Sequence, residues 1–110
     1  MPNVKFFVDD RVLDGLDNRL DTILTEIRAF LMPAFGVTEA ACHLVVLGVK
    51  SLATQTPVNI ELSILKRPDR PRERVEASCA DLQALALRLF AVPVAIRCTV
   101  MEPEAYIVKR

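Results

Sequence analysis

Pro2 is the residue whose type and position best suit chemistry in this chain. Once the initiator methionine is removed, Pro2 presents a secondary amine at the start of a strand-like segment. Such an amine can act as a base or nucleophile at neutral pH when burial and nearby cations lower its pKa. The alternative is a strand start that tolerates the missing N–H of proline. The position of Pro2 in the sequence is compatible with both interpretations.

The thiols and the single histidine are the next candidates. Cys42, Cys79 and Cys98 are widely spaced without a C-x-x-C pair, and His43 alone cannot complete a zinc site with them. Each thiol lies in a segment of core-forming composition, so we interpret all three as inert core residues rather than as a catalytic thiol paired with His43. His43 either packs at a subunit contact, bonded to a carbonyl, or binds substrate.

Basic residues are concentrated between Lys66 and Arg74, where five occur within nine positions. Asp69 and Glu73 interrupt the run and no aromatic residue accompanies it, which predicts a solvated turn; an anionic ligand or nucleic acid is the alternative. Arg97, on the last main predicted strand, is either an intersubunit ion-pair partner or a pocket cation. The sequence has neither a glycine-rich phosphate loop nor a Ser–His–Asp set.

Composition indicates a folded domain without a strong electrostatic preference. The 110 residues are 52% hydrophobic and 25% charged, which excludes a disordered chain. Fourteen basic residues balance fourteen acidic ones, so we expect neither nucleic acid nor membrane as a partner. No apolar run approaches the roughly 20 residues of a membrane helix, and the start lacks the apolar core of a signal peptide. We therefore expect a cytoplasmic protein.

Hydrophobic periodicity predicts the elements that must position these residues. Four main strands are predicted, at residues 3–8, 41–49, 58–64 and 94–100. One long helix is predicted from Asp9 to Leu31, ended by Pro33 and Gly36, and a second helix over residues 75–89. One more short strand is predicted in the tail, over residues 105–110.

The order strand–helix–strand occurs twice, which predicts an α+β fold of duplicated βαβ units. Residues 1–110 form a single domain with halves at about 1–50 and 57–102, plus the short C-terminal strand. Both helices cover one face of a four-stranded mixed sheet. The predicted strand over residues 41–49 is strongly apolar, so the sheet face without helices would expose apolar residues to water. We therefore expect that face to contact other copies of the chain. A ferredoxin-like domain has the same element order and is the alternative.

Several segments carry a resemblance to a known family: Met-Pro-Asn-Val-Lys-Phe-Phe-Val at 1–8, Phe-Gly-Val at 35–37, Cys-His-Leu-Val-Val at 42–46, Val-Asn-Ile-Glu-Leu-Ser-Ile-Leu at 58–65 and Val-Ala-Ile-Arg at 94–97. With these segments in duplicated βαβ halves, the chain resembles the tautomerase superfamily, which includes 4-oxalocrotonate tautomerase, 5-carboxymethyl-2-hydroxymuconate isomerase and macrophage migration inhibitory factor. The resemblance implies a homotrimer whose sheets line a barrel, with the amino-terminal proline in a pocket between subunits.

The resemblance also implies roles for individual residues. Pro2 corresponds to the proton shuttle of the family. Arg11 lies on or beside a cationic position that follows the first strand, and His43 stands where the second strand has an arginine; both positions hold a substrate carboxylate in the family. Arg97 joins them as a candidate cation.

Two positions depart from the macrophage migration inhibitory factor branch. Val37 stands where that branch has a lysine, and Ala95 stands where it has a pocket tyrosine. Tyr106 in the tail is a candidate to replace that tyrosine.

The function implied is a tautomerase or isomerase that uses Pro2 as general base on an unsaturated keto or enol acid. Its partners are a small organic acid and other copies of the chain, and it needs no metal or organic cofactor because the amine transfers the proton. The alternative is a non-catalytic oligomeric binding protein on the same or a ferredoxin-like fold.

Overall fold

The computed structural model describes residues 2–110 and places all helices on one face of a four-stranded sheet. The spatial order of the strands is β2-β1-β3-β4, with β1 at Asn3–Asp9, β2 at His43–Val49, β3 at Val58–Leu65 and β4 at Val94–Met101. Strands β1 and β2 are parallel, as are β3 and β4, and β1 runs antiparallel to β3. The predicted α+β fold with a mixed sheet is confirmed.

The strand order rules out the ferredoxin-like alternative. In that fold each βαβ unit is split, so another strand lies between its two parallel strands. Here the two parallel strands of each half are direct neighbours. The halves then join along their first strands, through the antiparallel pairing of β1 with β3.

The prediction of one long first helix is wrong in one respect, because the structure has two helices in that segment. Helix α1 covers Asp10–Gly15 and helix α2 covers Leu20–Phe35. Between them Asp17 adopts a left-handed conformation with φ 54°, which an α-helix cannot contain. Pro33 does not end α2 but lies in its last turn, and Gly36 ends the helix with φ 64°.

The second half of the chain agrees more closely with its prediction, whereas the tail differs from its prediction. Helix α3 covers Arg72–Phe90, beginning three residues before its predicted start. After β4, a 3₁₀ turn at Pro103–Ala105 leads into the tail. The predicted strand in the tail is not formed within the described residues. Neither edge strand of the sheet, β2 or β4, pairs with residues 106–110.

The core lies between the sheet and the helices. Alternate residues of β1 and β3 point into it, among them Phe6, Ile60 and Leu62, and meet Ile27 of α2 and Leu82 of α3. The opposite face of the sheet carries no helix and is called the open face below; its residues include Lys5, Phe7, His43, Val45, Leu47, Asn59, Glu61, Ala95 and Arg97. Among residues 2–110 no helix has the length and apolar character needed to cross a membrane.

Candidate functional site

Pro2 lies immediately before β1 and is fully buried. Its carbonyl oxygen accepts a hydrogen bond of 3.2 Å from the backbone N–H of His43, which continues the parallel pairing of β1 with β2. The sheet therefore fixes both Pro2 and His43 at one corner of the molecule. The expected removal of Met1 concerns a residue outside the described part of the chain.

A pocket of about 400 Å³, called the Pro2 pocket below for its position, opens beside His43 at this corner, and Pro2 itself is not among its lining residues. Helix α2 provides one wall, and the chain entering β2, with His43 among its residues, provides the other. The lining residues are Asp21, Leu24, Thr25, Arg28, Cys42, His43 and Leu44. A cavity of this volume suits a small organic molecule.

Arg28 and His43 supply the polar chemistry of the pocket. The Nη2 atom of Arg28 lies 3.5 Å from Oε1 of Glu39, and the Arg28 side chain remains partly exposed. Burial raises the pKa of the Cys42 thiol, and the positive charge of Arg28 opposes that rise. The His43 ring places Nδ1 3.3 Å from Oδ1 of Asn3. An anion entering the pocket therefore meets a guanidinium that already lies beside Glu39, an imidazole, and the carboxylate of Asp21.

Arg11 lies at the other end of the sheet. It follows the last residue of β1, whereas Pro2 precedes the first, so a seven-residue strand of roughly 20 Å separates them. The Arg11 guanidinium donates to both carboxylate oxygens of Asp9, at 2.9 and 2.7 Å, and to the Ser51 carbonyl at 3.1 Å. Within one chain Arg11 does not reach the Pro2 pocket.

Arg97 and Tyr106 also lie apart from this pocket. Arg97 projects from the open face of β4, at the far edge of the sheet from β2, and donates to Oδ1 of Asn59 at 3.0 Å. Tyr106 follows the 3₁₀ turn after β4, at the same end of the sheet as Pro2. The chain thus brings Pro2 and His43 together and leaves Arg11, Arg97 and Tyr106 elsewhere.

Sequence reasoning missed the contribution of α2 to the pocket. Asp21, Thr25 and Arg28 are spaced four and three residues apart, which places them on one helix face. The spacing of these polar residues could be read from the sequence. Only the packing of α2 beside β2 shows that this face of the helix lines the pocket. Among residues 2–110, no group of three or more His, Cys, Asp and Glu side chains could hold a metal ion.

Comparisons with known proteins find no matching family model and no matching curated protein. Solved structures do match. A fused 4-OT aligns with 96% of this chain and 91% of its own, at a TM-score of 0.74 and 12% identity. Macrophage migration inhibitory factor of Toxoplasma gondii aligns with 96% of this chain and 95% of its own, at a TM-score of 0.65 and 13% identity. These neighbours are tautomerase-superfamily proteins.

This chain has the tautomerase-superfamily fold. A malonate semialdehyde decarboxylase is another neighbour, with a TM-score of 0.63 and 14% identity over 98% of this chain and 91% of its own. One solved form of that protein carries alanine in place of its proline at position 1. The tautomerase fold therefore accommodates different reactions, so the activity of this chain has to be argued from its own pocket.

Proposed function

We propose that this protein is a tautomerase or isomerase in which Pro2, after removal of Met1, is the general base acting on a small unsaturated keto or enol acid. The observation that carries the proposal is the position of Pro2, buried at the start of a central strand and bonded to His43 at the rim of the pocket. The tautomerase fold of the neighbours supports the same interpretation.

The pocket suggests how the reaction proceeds. The substrate carboxylate pairs with the Arg28 guanidinium, and His43 donates to the oxygen on which enolate charge develops. The Pro2 nitrogen takes the proton from the enol oxygen or α-carbon and returns it to a conjugated carbon. Pro2 is fully buried, and burial disfavours the charged form of an amine, which is the condition that a base acting near neutral pH requires.

We further propose a homotrimer whose active sites lie between subunits. Arg11, Arg97 and Tyr106 do not line the pocket of their own chain, and a neighbouring copy could bring them to it. The uncovered face of the sheet, with Phe7 and Leu47, offers the surface for that contact.

The proposed surroundings follow from charge and thiol chemistry. Equal numbers of acidic and basic residues favour a small organic acid over nucleic acid or a membrane surface as the partner. The three cysteines are free, which suits the reducing cytoplasm.

Ketonisation of phenylenolpyruvate tests the proposal, with intact mass confirming that Met1 has been removed. Pro2→Ala keeps a free but primary amine and should lose at least about tenfold in kcat/KM, a threshold set below the roughly 10²- to 10⁴-fold contribution of general acid–base catalysis. A form that retains Met1 should be less active still, because its Pro2 nitrogen is an amide. Pro68→Ala, an exposed proline outside the pocket, is the matched control and should keep wild-type activity.

Two results would contradict the proposal. Equal activity with Met1 retained would exclude the Pro2 amine as the base. Failure of the processed protein on a panel of enol and unsaturated keto acids would favour a non-catalytic binding protein. Arg28→Gln separates binding from proton transfer, since loss of the carboxylate partner should raise KM more than it lowers kcat.

A further inference from the structure

A second cavity, of about 540 Å³, lies between α3 and β4. It is at the opposite edge of the sheet from the Pro2 pocket and shares no lining residue with it. Two of its lining residues are free thiols, Cys79 from α3 and Cys98 from β4, and both are partly buried. The sequence-based interpretation as inert core residues therefore fits Cys42, which is buried in the core, better than it fits this pair.

The two thiols line the same cavity from two packed elements, Cys79 from α3 and Cys98 from β4. The interaction between them lowers the pKa of Cys79 and raises the pKa of Cys98. Burial works against the thiolate at both positions, and the carboxylate of Glu76 does so at Cys79. Of the two thiols, Cys79 is therefore the one that loses its proton more readily.

A buried arginine beside the thiols has no carboxylate partner. Arg70 is 6% exposed, and its guanidinium donates to two carbonyl oxygens, of Leu65 at 2.6 Å and of Phe35 at 2.8 Å. Its Nε has no hydrogen-bond acceptor among the described residues. Carbonyl oxygens carry no net charge, so a thiolate in the cavity would compensate the buried cation. The charge of Arg70 lowers the pKa of Cys98 and so eases the loss of the Cys98 proton when that sulfur attacks.

The other charges of the cavity are already paired. Lys66 Nζ lies 3.4 Å from Oε1 of Glu102, and Nε of Arg72 lies 2.8 Å from Oε1 of Glu76. All four of these side chains are mostly exposed and form the rim. The unpaired positive charge of the cavity is therefore the deep one, next to the thiols.

We propose that Cys79 and Cys98 form a dithiol site that small hydroperoxides oxidise to a reversible intramolecular disulfide, with Cys79 as the attacking sulfur. The Cys79 thiolate attacks one peroxide oxygen, an S–O bond forms, the O–O bond breaks, and the departing alkoxide takes a proton from solvent to leave as an alcohol. The Cys98 sulfur then attacks the sulfenic acid, an S–S bond forms, and the hydroxyl leaves as water with the Cys98 proton. Two thiols lose two electrons, which reduce the hydroperoxide.

Cys42 provides the internal comparison. Burial raises the pKa of Cys42, whereas the interaction with Cys98 lowers the pKa of Cys79. Cys79 therefore has the larger thiolate fraction at neutral pH and should react faster with a peroxide than Cys42 does.

The experiment treats the full chain with one equivalent of hydrogen peroxide and maps the products by peptide mass spectrometry. Wild type and Cys42→Ser should both lose two hydrogens, join the Cys79 and Cys98 peptides, and recover with dithiothreitol. Cys98→Ser should stop at a sulfenic acid on Cys79, which dimedone traps. Circular dichroism checks that each variant is folded.

A trivalent arsenical gives a second readout that needs no oxidation. Phenylarsine oxide should bind one equivalent in wild type and Cys42→Ser and should not bind stably to Cys98→Ser. Oxidation of Cys42 as fast as Cys79, sulfenic acid without disulfide in wild type, or equal arsenical binding in Cys98→Ser would each overturn the proposal. Pro2→Ala should oxidise like wild type, so this result is separate from the catalytic proposal.

Discussion

Asp9 is the most heavily bonded carboxylate of the described chain. It is buried at the end of β1 and accepts hydrogen bonds from the backbone N–H of Arg11 at 2.9 Å, from the Arg11 guanidinium, and from the Ser51 hydroxyl. As the residue preceding α1 it also caps the first turn of that helix. These bonds hold the pKa of Asp9 well below its ordinary value of 3.8. Arg11 is thereby held at this end of the sheet.

We predict that Asp9→Asn lowers the urea midpoint of unfolding at pH 7 more than Asp14→Asn does. Asp14 lies on α1, the helix that Asp9 caps, but is exposed, so it serves as the control. Because the folded-state pKa of Asp9 is depressed, its stabilising effect is complete above the ordinary pKa and is lost as pH falls below about 4. The difference between wild type and Asp9→Asn should therefore shrink below that pH. A difference that stays constant down to pH 2 would contradict this account.

At the scale of elements, Gly48 sets how closely α1 approaches β2. A Cβ atom at this position would lie 2.6 Å from Oδ1 of Asp10 and 3.1 Å from Cδ2 of Leu13. Asp10 can rotate away, at the loss of its 3.2 Å contact with Lys50, but Leu13 packs against the core. The missing side chain is therefore what allows α1 to lie against the edge strand.

We predict that Gly48→Ala destabilises the protein by about 1 kcal/mol, the lower range for overpacking. At Gly15, the last residue of the same helix, an added Cβ atom would have no neighbour within 4 Å, and the backbone φ is not positive. Gly15→Ala should therefore stabilise the protein instead, by about 0.4 to 1 kcal/mol. Chemical denaturation of the two variants measures the contrast. Equal effects would show that α1 moves freely relative to β2.

Element type was predictable from sequence, and element boundaries were less so. The alternation in Val58–Leu65 identified β3, because its inward residues are all buried. Apolar spacing also predicted α1 and α2, yet it continues across the break at Asp17, where backbone conformation rather than hydrophobicity decides. The pocket followed the same division: of its lining residues His43 was a candidate from sequence, whereas Arg28 required knowing which face of α2 lies beside β2.

At the scale of the whole molecule, the open face of the sheet is mixed in character. One row across the strands reads Val45, Lys5, Glu61 and Arg97, and the next reads Leu47, Phe7, Asn59 and Ala95. The large apolar residues Val45, Leu47 and Phe7 lie on β2 and β1, whereas Lys5 of β1 lies beside Glu61 and Arg97 of β3 and β4. Copies arranged around an axis can bury the apolar part while the charged part forms hydrogen bonds between subunits.

We predict that the protein sediments as a homotrimer at micromolar concentration and that Leu47→Asp shifts it to monomer. Leu47 is 40% exposed on the open face, and a carboxylate there would lose its hydration in a subunit contact without gaining a partner. Leu87→Asp is the matched control, because Leu87 is 49% exposed on α3, away from the open face, and should leave the trimer intact. Circular dichroism must show both variants folded. A wild-type monomer would contradict the homotrimer, and dissociation by Leu87→Asp but not by Leu47→Asp would place the subunit contact elsewhere. Either result would leave Arg11, Arg97 and Tyr106 without the proposed route to the pocket of a neighbouring copy.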